Sequence, residues 1–195
     1  MKKLLAVLSF AVVILFTACS SAPQVETGAS VYNPYPEIKA PATMAVYDAT
    51  PQMLISEGAS YVRGTVKEIL PPVSNNEYQE NFDLILEKNP DAKLPDVTTY
   101  HFIFAVEETI AGDPLPDEIL IVTILESLFP SDMKAGDPFI IAVGALDDGS
   151  YHLAHTVQSF YYISEEDRVY PAGRMSGSIQ YTGMTVGMFK EAINS

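Results

Sequence analysis

Across residues 98–109 polar and apolar side chains alternate at nearly every step, and this period of two constrains the fold more than any other feature of the chain. Phe102, Phe104 and Val106 fall on one side, and His101, Ile103, Ala105 and Glu107 on the other, as in a strand with one face buried. Residues 61–69 repeat the pattern, with Val62, Gly64 and Val66 opposite Arg63, Thr65 and Lys67. Pro71-Pro72 is expected to end that strand. Two further segments, residues 118–125 and 138–143, are almost continuously apolar, and such runs belong to strands covered on both faces. Gly112-Asp113-Pro114 reads as a turn, Asp147-Asp148-Gly149 as a tight hairpin, and a last β region is expected over residues 151–163.

Helices are short and lie around these strands. Thr50 and Pro51 supply a capping hydroxyl and a first-turn proline, and Gly58 stands just past the end, so a helix is expected between them. Ser74-Asn75-Asn76-Glu77 resembles a capping box opening a second helix, on which Tyr78, Phe82, Ile85 and Leu86 share a face; Asn89-Pro90 closes it. Its outer side, Glu77, Glu80, Asp83 and Glu87, reads as a solvated face. Residues 185–193 form a closing helix with Val186, Phe189 and Ile193 on one side. The expected class is mostly β (α+β): a small antiparallel five-stranded barrel, with a helical insertion between strands 1 and 2 and short helices before and after.

The N-terminus sets the compartment. Met1-Lys2-Lys3 is a basic start, residues 4–16 are uncharged and apolar, and small residues follow; this is a secretory signal, too short to span a bilayer as a stable helix. Phe16-Thr17-Ala18-Cys19 resembles the lipobox of bacterial lipoproteins: an aliphatic residue, a small one, Ala or Gly, and Cys, with Phe16 standing where Leu is usual. The resemblance implies cleavage before Cys19, diacylglyceryl transfer to its thiol and acylation of the new amino terminus. Two or three chains, at about 0.8 kcal/mol per buried methylene, anchor stably. Ser20 after the Cys resembles sorting to the outer membrane in a Gram-negative cell; in a Gram-positive cell the protein would sit on the outer face of the cell membrane.

Residues 1–18 are therefore expected to be a signal, 19–49 a lipidated Cys with a Pro/Ser/Ala-rich tether, and 50–195 one β-rich globular domain. A flexible tether of about 28 residues would hold that domain on the order of 30 Å from the bilayer. Tyr32-Asn33-Pro34-Tyr35-Pro36 stands out within it, as a strip that docks on the domain or serves recognition, with docking preferred. Loss of residues 1–18 removes two lysines and no acids, leaving 25 acidic against 9 basic residues, a formal charge of −16. Such a charge argues against nucleic acid and makes the lipid, not a basic patch, the membrane attachment.

Tyr61-Val62-Arg63-Gly64-Thr65-Val66, residues 100–107 with Gly112-Asp113, and Lys134-Ala135-Gly136-Asp137-Pro138-Phe139 resemble secreted bacterial OB-like barrels of the netrin/TIMP type. This resemblance over residues 60–163 implies an OB-like barrel and, by fold analogy, a protease inhibitor. In the animal inhibitors a free N-terminal Cys meets the target's metal; a lipidated Cys19 would not be free to do so.

Catalytic motifs are sparse. Cys19, the single cysteine, rules out an internal disulfide framework and, once acylated, thiol catalysis. Ser131-Asp132-Met133-Lys134 matches Ser-x-x-Lys, but its companion motifs are missing. No nucleophile elbow, phosphate loop or His-Glu-x-x-His occurs, and no cofactor is expected. His152 and His155 on one strand would point to opposite faces, leaving half-exposed histidines that share no metal. A kink at Ala154 would let His155 converge with His101 and Glu107, and a metal-dependent extracytoplasmic hydrolase using His101, His152 or His155 follows as the enzymatic alternative. Asp113, Asp117 and Glu118, or Asp147 and Asp148, could offer oxygens to calcium without the spacing that wraps one ion.

Aromatic surface is the remaining signal. Of Tyr161 and Tyr162 one should be core and the other exposed. Tyr162 and Tyr181, with Arg174 in a three-glycine loop over residues 172–183 expected to be mobile, are the candidate ligand-binding residues. The expected function is a lipid-anchored, non-catalytic binding or interaction protein of the cell envelope, whose partners would be the membrane through its anchor and a glycan, peptide or envelope protein.

Overall fold

A computed structural model describes residues 32–42, 45–74, 87–89, 98–124 and 126–195. Cys19 and nearly all of the helix expected after Ser74 lie outside them; Glu87 and Lys88 are helical. The element order is α1 (Pro51–Ser56), β1 (Ser60–Ser74), β2 (Thr98–Ala111), β3 (Glu118–Thr123), a 3-10 turn (Glu126–Leu128), β4 (Pro138–Ala145), β5 (Tyr151–Leu153), β6 (Phe160–Ile163), β7 (Val169–Pro171), α2 (Ser176–Ile179) and α3 (Val186–Ile193). The protein is mostly β, built on one seven-stranded mixed sheet of order β1-β2-β3-β5-β4-β6-β7 in which β1 also pairs with β4.

That extra pairing brings the ladder β1-β2-β3-β5-β4 back to its start. β1 reaches both neighbours because it bends. Its register against β2 slips between Arg63 and Gly64 and again after Val66, while residues 60–65 pair with residues 138–143 of β4. A side chain at Gly64 would put its Cβ 1.9 Å from the carbonyl oxygen of Ala105, so glycine permits the close crossing at which the strand turns. β3 and β5 pair in parallel; the sheet is thus not the all-antiparallel five strands expected. The expected final β region divides into β5 and β6, separated by a tight turn, and β7 adds an antiparallel partner to β6.

Two cores explain which runs are apolar on both faces. The first contains Val62, Val66, Phe102, Phe104, Ile119, Ile121, Phe139, Ile141 and Phe160. The second, under α1 and α3, holds Leu54, Tyr61, Ile110, Ile140, Ala142, Tyr161, Phe189 and Ile193. Consecutive residues of β4 alternate between the two, so the continuous run there is buried on both sides. The similar run in β3 is not. Ile119 and Ile121 are buried, but Leu120 is 38% exposed and Ile124 lies out in solvent, because among the described residues no second layer covers that side of β3.

Pro71 and Pro72 do not end β1, which continues to Ser74. The pairing skips from Leu70–His101 to Val73–Thr99, so the two prolines occupy an irregularity where no ladder N–H is required. Local turn chemistry follows the expectation. Thr50 Oγ1 accepts from Met53 N–H at 3.2 Å and Pro51 opens α1. Gly149, at φ 85°, closes the β4–β5 hairpin with Asp148 Oδ1 accepting from Ser150 N–H at 2.9 Å.

Residues 32–42 and 45–49, expected as part of a tether, lie on the domain. Ile38 is buried and its N–H donates to Ala172 O at 2.9 Å. Gln158, 1% exposed, binds Ala49 as a strand partner would: its Oε1 accepts from Ala49 N–H at 2.9 Å and its Nε2 donates to Ala49 O at 2.8 Å. Asp48 accepts from Ser176 Oγ, from Gly177 N–H at 2.8 Å and from Gln158 Nε2 at 3.2 Å. The Ser176 hydroxyl, ahead of the Gly177 amide, holds the Asp48 carboxyl below its ordinary range. Close packing explains two of the glycines of residues 172–183, Gly173 against the turn after β5 and Gly177 against the strap. A Cβ at Gly173 would meet Val157 O at 2.0 Å, and one at Gly177 would meet Ala49 O at 2.1 Å. The expected mobile loop is instead a closely packed segment containing α2.

Candidate functional site

The strap crosses the β4–β6 ladder at an aromatic stack. Tyr162 on β6 lies opposite Phe139 of β4 and Tyr170 of β7. The Tyr35 ring lies on Tyr162 with centroids 4.4 Å apart and planes 14° from parallel. Asn33 fixes this bend, its Oδ1 accepting from Tyr35 N–H at 3.0 Å and its Nδ2 donating to Pro171 O at 2.9 Å.

Beside the stack is a cleft of about 180 Å³, lined by Tyr35, Tyr162, Phe139, Asp132, Asp137 and Lys134, among others. Its polar wall is the turn before β4. Asp137 Oδ2 accepts from Lys134 N–H at 2.9 Å. The turn is tied to β1 by Gly136 N–H to Val66 O at 2.8 Å and Val66 N–H to Asp137 O at 3.0 Å. Tyr162 OH donates to Asp132 Oδ1 at 3.0 Å. Burial first, then the Asp132 charge, pushes the Tyr162 hydroxyl well above its ordinary pKa. Burial also raises Tyr35, followed by Tyr170, Glu165 and Asp132. Both phenols are therefore neutral. Asp132 Oδ2 and Asp137 Oδ1 have no hydrogen-bond partner among the described residues. The cleft thus offers carboxylate acceptors beside an aromatic edge. What this arrangement can do is hold a ligand rich in hydrogen-bond donors.

The structure corrects the tyrosine expectation. Tyr161 and Tyr162 are both buried, at 1% and 5% exposure, because β6 lies between the two cores. Tyr162 reaches the cleft only through its hydroxyl edge, under Tyr35. Tyr181 is buried at 4%, edge-on to Phe189, and its OH donates to Gln52 Oε1 at 3.4 Å; it holds α1 and α3 together. Arg174 is exposed, with Nη2 donating to Asn33 O at 3.4 Å and Tyr35 O at 3.3 Å.

The histidines do not assemble. His155 is not on a strand: it is buried in the turn after β5, where Nε2–H donates to Tyr47 O at 2.9 Å and Nδ1 accepts from Val157 and Gln158 N–H at 3.3 and 3.2 Å. Both ring nitrogens serve the backbone, and the expected half-exposed residue is a buried strut. His101 lies on β2 opposite Val122, partly exposed. Glu107 faces Arg63 at 3.9 Å. His101, His155 and Glu107 form no metal site, and no cluster of three such ligands occurs among the described residues. His152 lines a second cleft of about 220 Å³ whose other lining residues include Glu57, Leu54 and Gly144. Its Nδ1–H donates to Leu153 O at 2.9 Å.

Of the cleft residues only Tyr162 was among the candidate ligand-binding residues; Asp132 and Asp137 were not marked for binding, and Tyr35 stood in a strip for which docking was preferred over recognition. Tyr35 was legible as a docking residue within its proline strip. Asp132 stood inside the Ser-x-x-Lys match, which drew the eye to Ser131 and Lys134. Neither a protein-family model nor a curated protein matches the chain.

Proposed function

We propose that this chain is a lipid-anchored protein of the bacterial cell envelope whose OB-like barrel is a non-catalytic binding module. The ring of pairings β1-β2-β3-β5-β4-β1 supports the OB-like reading, with β6, β7 and the strap as additions to it. The observation that carries the binding reading is the cleft in which Asp132 and Asp137 stand beside the Tyr35–Tyr162 stack. A flat apolar wall next to uncommitted carboxylate oxygens fits a glycan or the polar backbone of a peptide, where hydroxyl or amide donors meet the acids and the ligand's apolar side covers the ring edge. The acidic surface argues against nucleic acid.

Thermal-shift and calorimetric screening of neutral oligosaccharides and short peptides tests this reading, since a ligand that binds only the folded state raises the melting temperature. The expected result is a stabilising ligand whose affinity falls at least about tenfold in Asp132→Asn, the loss of about 1.4 kcal/mol that one charge-assisted hydrogen bond supplies. Binding unchanged in Asp132→Asn and Tyr35→Ala, or no binding across the panel, would overturn it. Mass spectrometry of the envelope fraction tests the anchor: the expected form begins at a diacylglyceryl-modified Cys19.

A further inference from the structure

The docked strap changes how far the anchor allows the domain to travel, an inference that rests on lipidation of Cys19. The described part of the domain begins at Tyr32. Twelve residues, 20–31, then separate the lipidated residue from Tyr32. Fully extended, such a segment spans at most about 40 Å, about the diameter of a domain of this length. A tether running to residue 49 would reach more than twice as far.

Two side chains mark the place where the chain reaches the domain. Tyr32 is 80% exposed. Arg174 is exposed, and its Nη2 holds the carbonyls of Asn33 and Tyr35, so it sits at the base of the strap. Lys39, Arg63, Lys67, Arg168 and Lys190 each face a carboxylate. Lys88, Lys134 and Arg174 have no carboxylate ion-pair partner among the described residues, and of these three Arg174 is the one hydrogen-bonded to the strap. A guanidinium fork presents paired N–H groups that match phosphate oxygens. A tyrosine joins an apolar ring to a polar tip, which suits the boundary between headgroups and acyl chains.

We propose that the surface around Tyr32 and Arg174 is the face the domain lays against the phospholipid headgroup layer, with Arg174 on lipid phosphates and Tyr32 at the interface. The anchor supplies the affinity and this face supplies the orientation. The negative charge of the rest of the domain, like that of an anionic bilayer, keeps other faces away from it.

The test uses the full-length lipidated protein in vesicles of phosphatidylethanolamine and phosphatidylglycerol. A fluorophore is placed through Tyr32→Cys or, for comparison, through Glu68→Cys on β1, and the vesicles carry headgroup-linked nitroxide quenchers. The expected result is several-fold stronger quenching at position 32 than at position 68, reduced when Arg174→Glu is added while flotation with the vesicles is unchanged. Equal quenching at both positions in a lipidated, floating protein would overturn the orientation and leave the anchor intact. Unchanged quenching in Arg174→Glu would remove Arg174 from the contact. An unmodified Cys19 thiol in protein that does not float would overturn the anchor and this inference together.

Discussion

His152 and His155 stand three residues apart and have opposite fates. The ring of His152 uses one nitrogen on its neighbour's carbonyl and turns the other toward an open cleft. His155, 4% exposed, uses both nitrogens to join segments distant in sequence, with Tyr47 on the strap at one and the amides of Val157 and Gln158 at the other. Sequence spacing placed them on one strand. The strand in fact ends at Leu153, and the turn that follows makes the second histidine a structural part. The difference teaches that a histidine's role here is set by whether unpaired backbone groups converge on it.

The largest expected effect tests the buried member. His155→Ala removes three hydrogen bonds and the edge-on contact with Tyr47, whose ring lies 4.8 Å away. It leaves the buried amides of Val157 and Gln158 without their acceptor, and urea denaturation should show a loss of about 3 kcal/mol. A loss below about 1 kcal/mol would mean that water replaces the ring and that the strut reading is wrong.

Gln158→Leu sharpens the same point one residue pair away. The amide bridges both backbone groups of Ala49, so its removal should cost about 2 kcal/mol. Amide exchange at Ala49 should accelerate more than exchange in β4, because the strap loses its partner while the doubly covered strand keeps its own. Uniform acceleration would show that strap and sheet unfold as one unit.

Acid probes the buried histidine from another side. Burial, the leading cause, lowers the pKa of His155 below its ordinary value of 6.5, and the geometry gives the same direction: a proton on Nδ1 would face two N–H donors. The unfolded chain therefore takes up the proton first as pH falls. The stability contributed by neutral His155 is full above about pH 6.5 and declines below it, at up to about 1.4 kcal/mol per pH unit, until the folded pKa is reached. Denaturation midpoints between pH 7 and 5 should show this slope in the native sequence and a shallower one in His155→Gln. Equal slopes would assign the acid sensitivity to carboxylates.

Much of the fold was legible because its signals are local. The Thr50 cap, the Asp148-Gly149 hairpin and the period of two in β2 all depend on residues a few positions apart, and each is found where expected. Where the outcome depended on what packs against a segment, the sequence was silent. The runs of β3 and β4 look alike, yet among the described residues only β4 of the two has layers on both sides. Pro71 and Pro72 look like a stop until a slipped register removes the need for their N–H groups. The candidate site shares this limit. Tyr162 was marked as aromatic and Tyr35 as a docking residue, but their stacking joins the first described segment to the sixth strand, and no periodicity encodes that meeting.

The smallest expected effect belongs to His152. Its ring is exposed and its one hydrogen bond is to the adjacent residue's carbonyl, which water can satisfy equally well. His152→Ala should change stability by no more than about 0.5 kcal/mol. Gly144 is the reason the ring lies as it does: a Cβ there would come 2.6 Å from His152 Nε2. Gly144→Ala should therefore turn the imidazole away from the cleft, visible as a shift of its ring resonances with little change in melting temperature. A large destabilisation in His152→Ala would make this ring a second strut, and the contrast with His155 would then be one of degree.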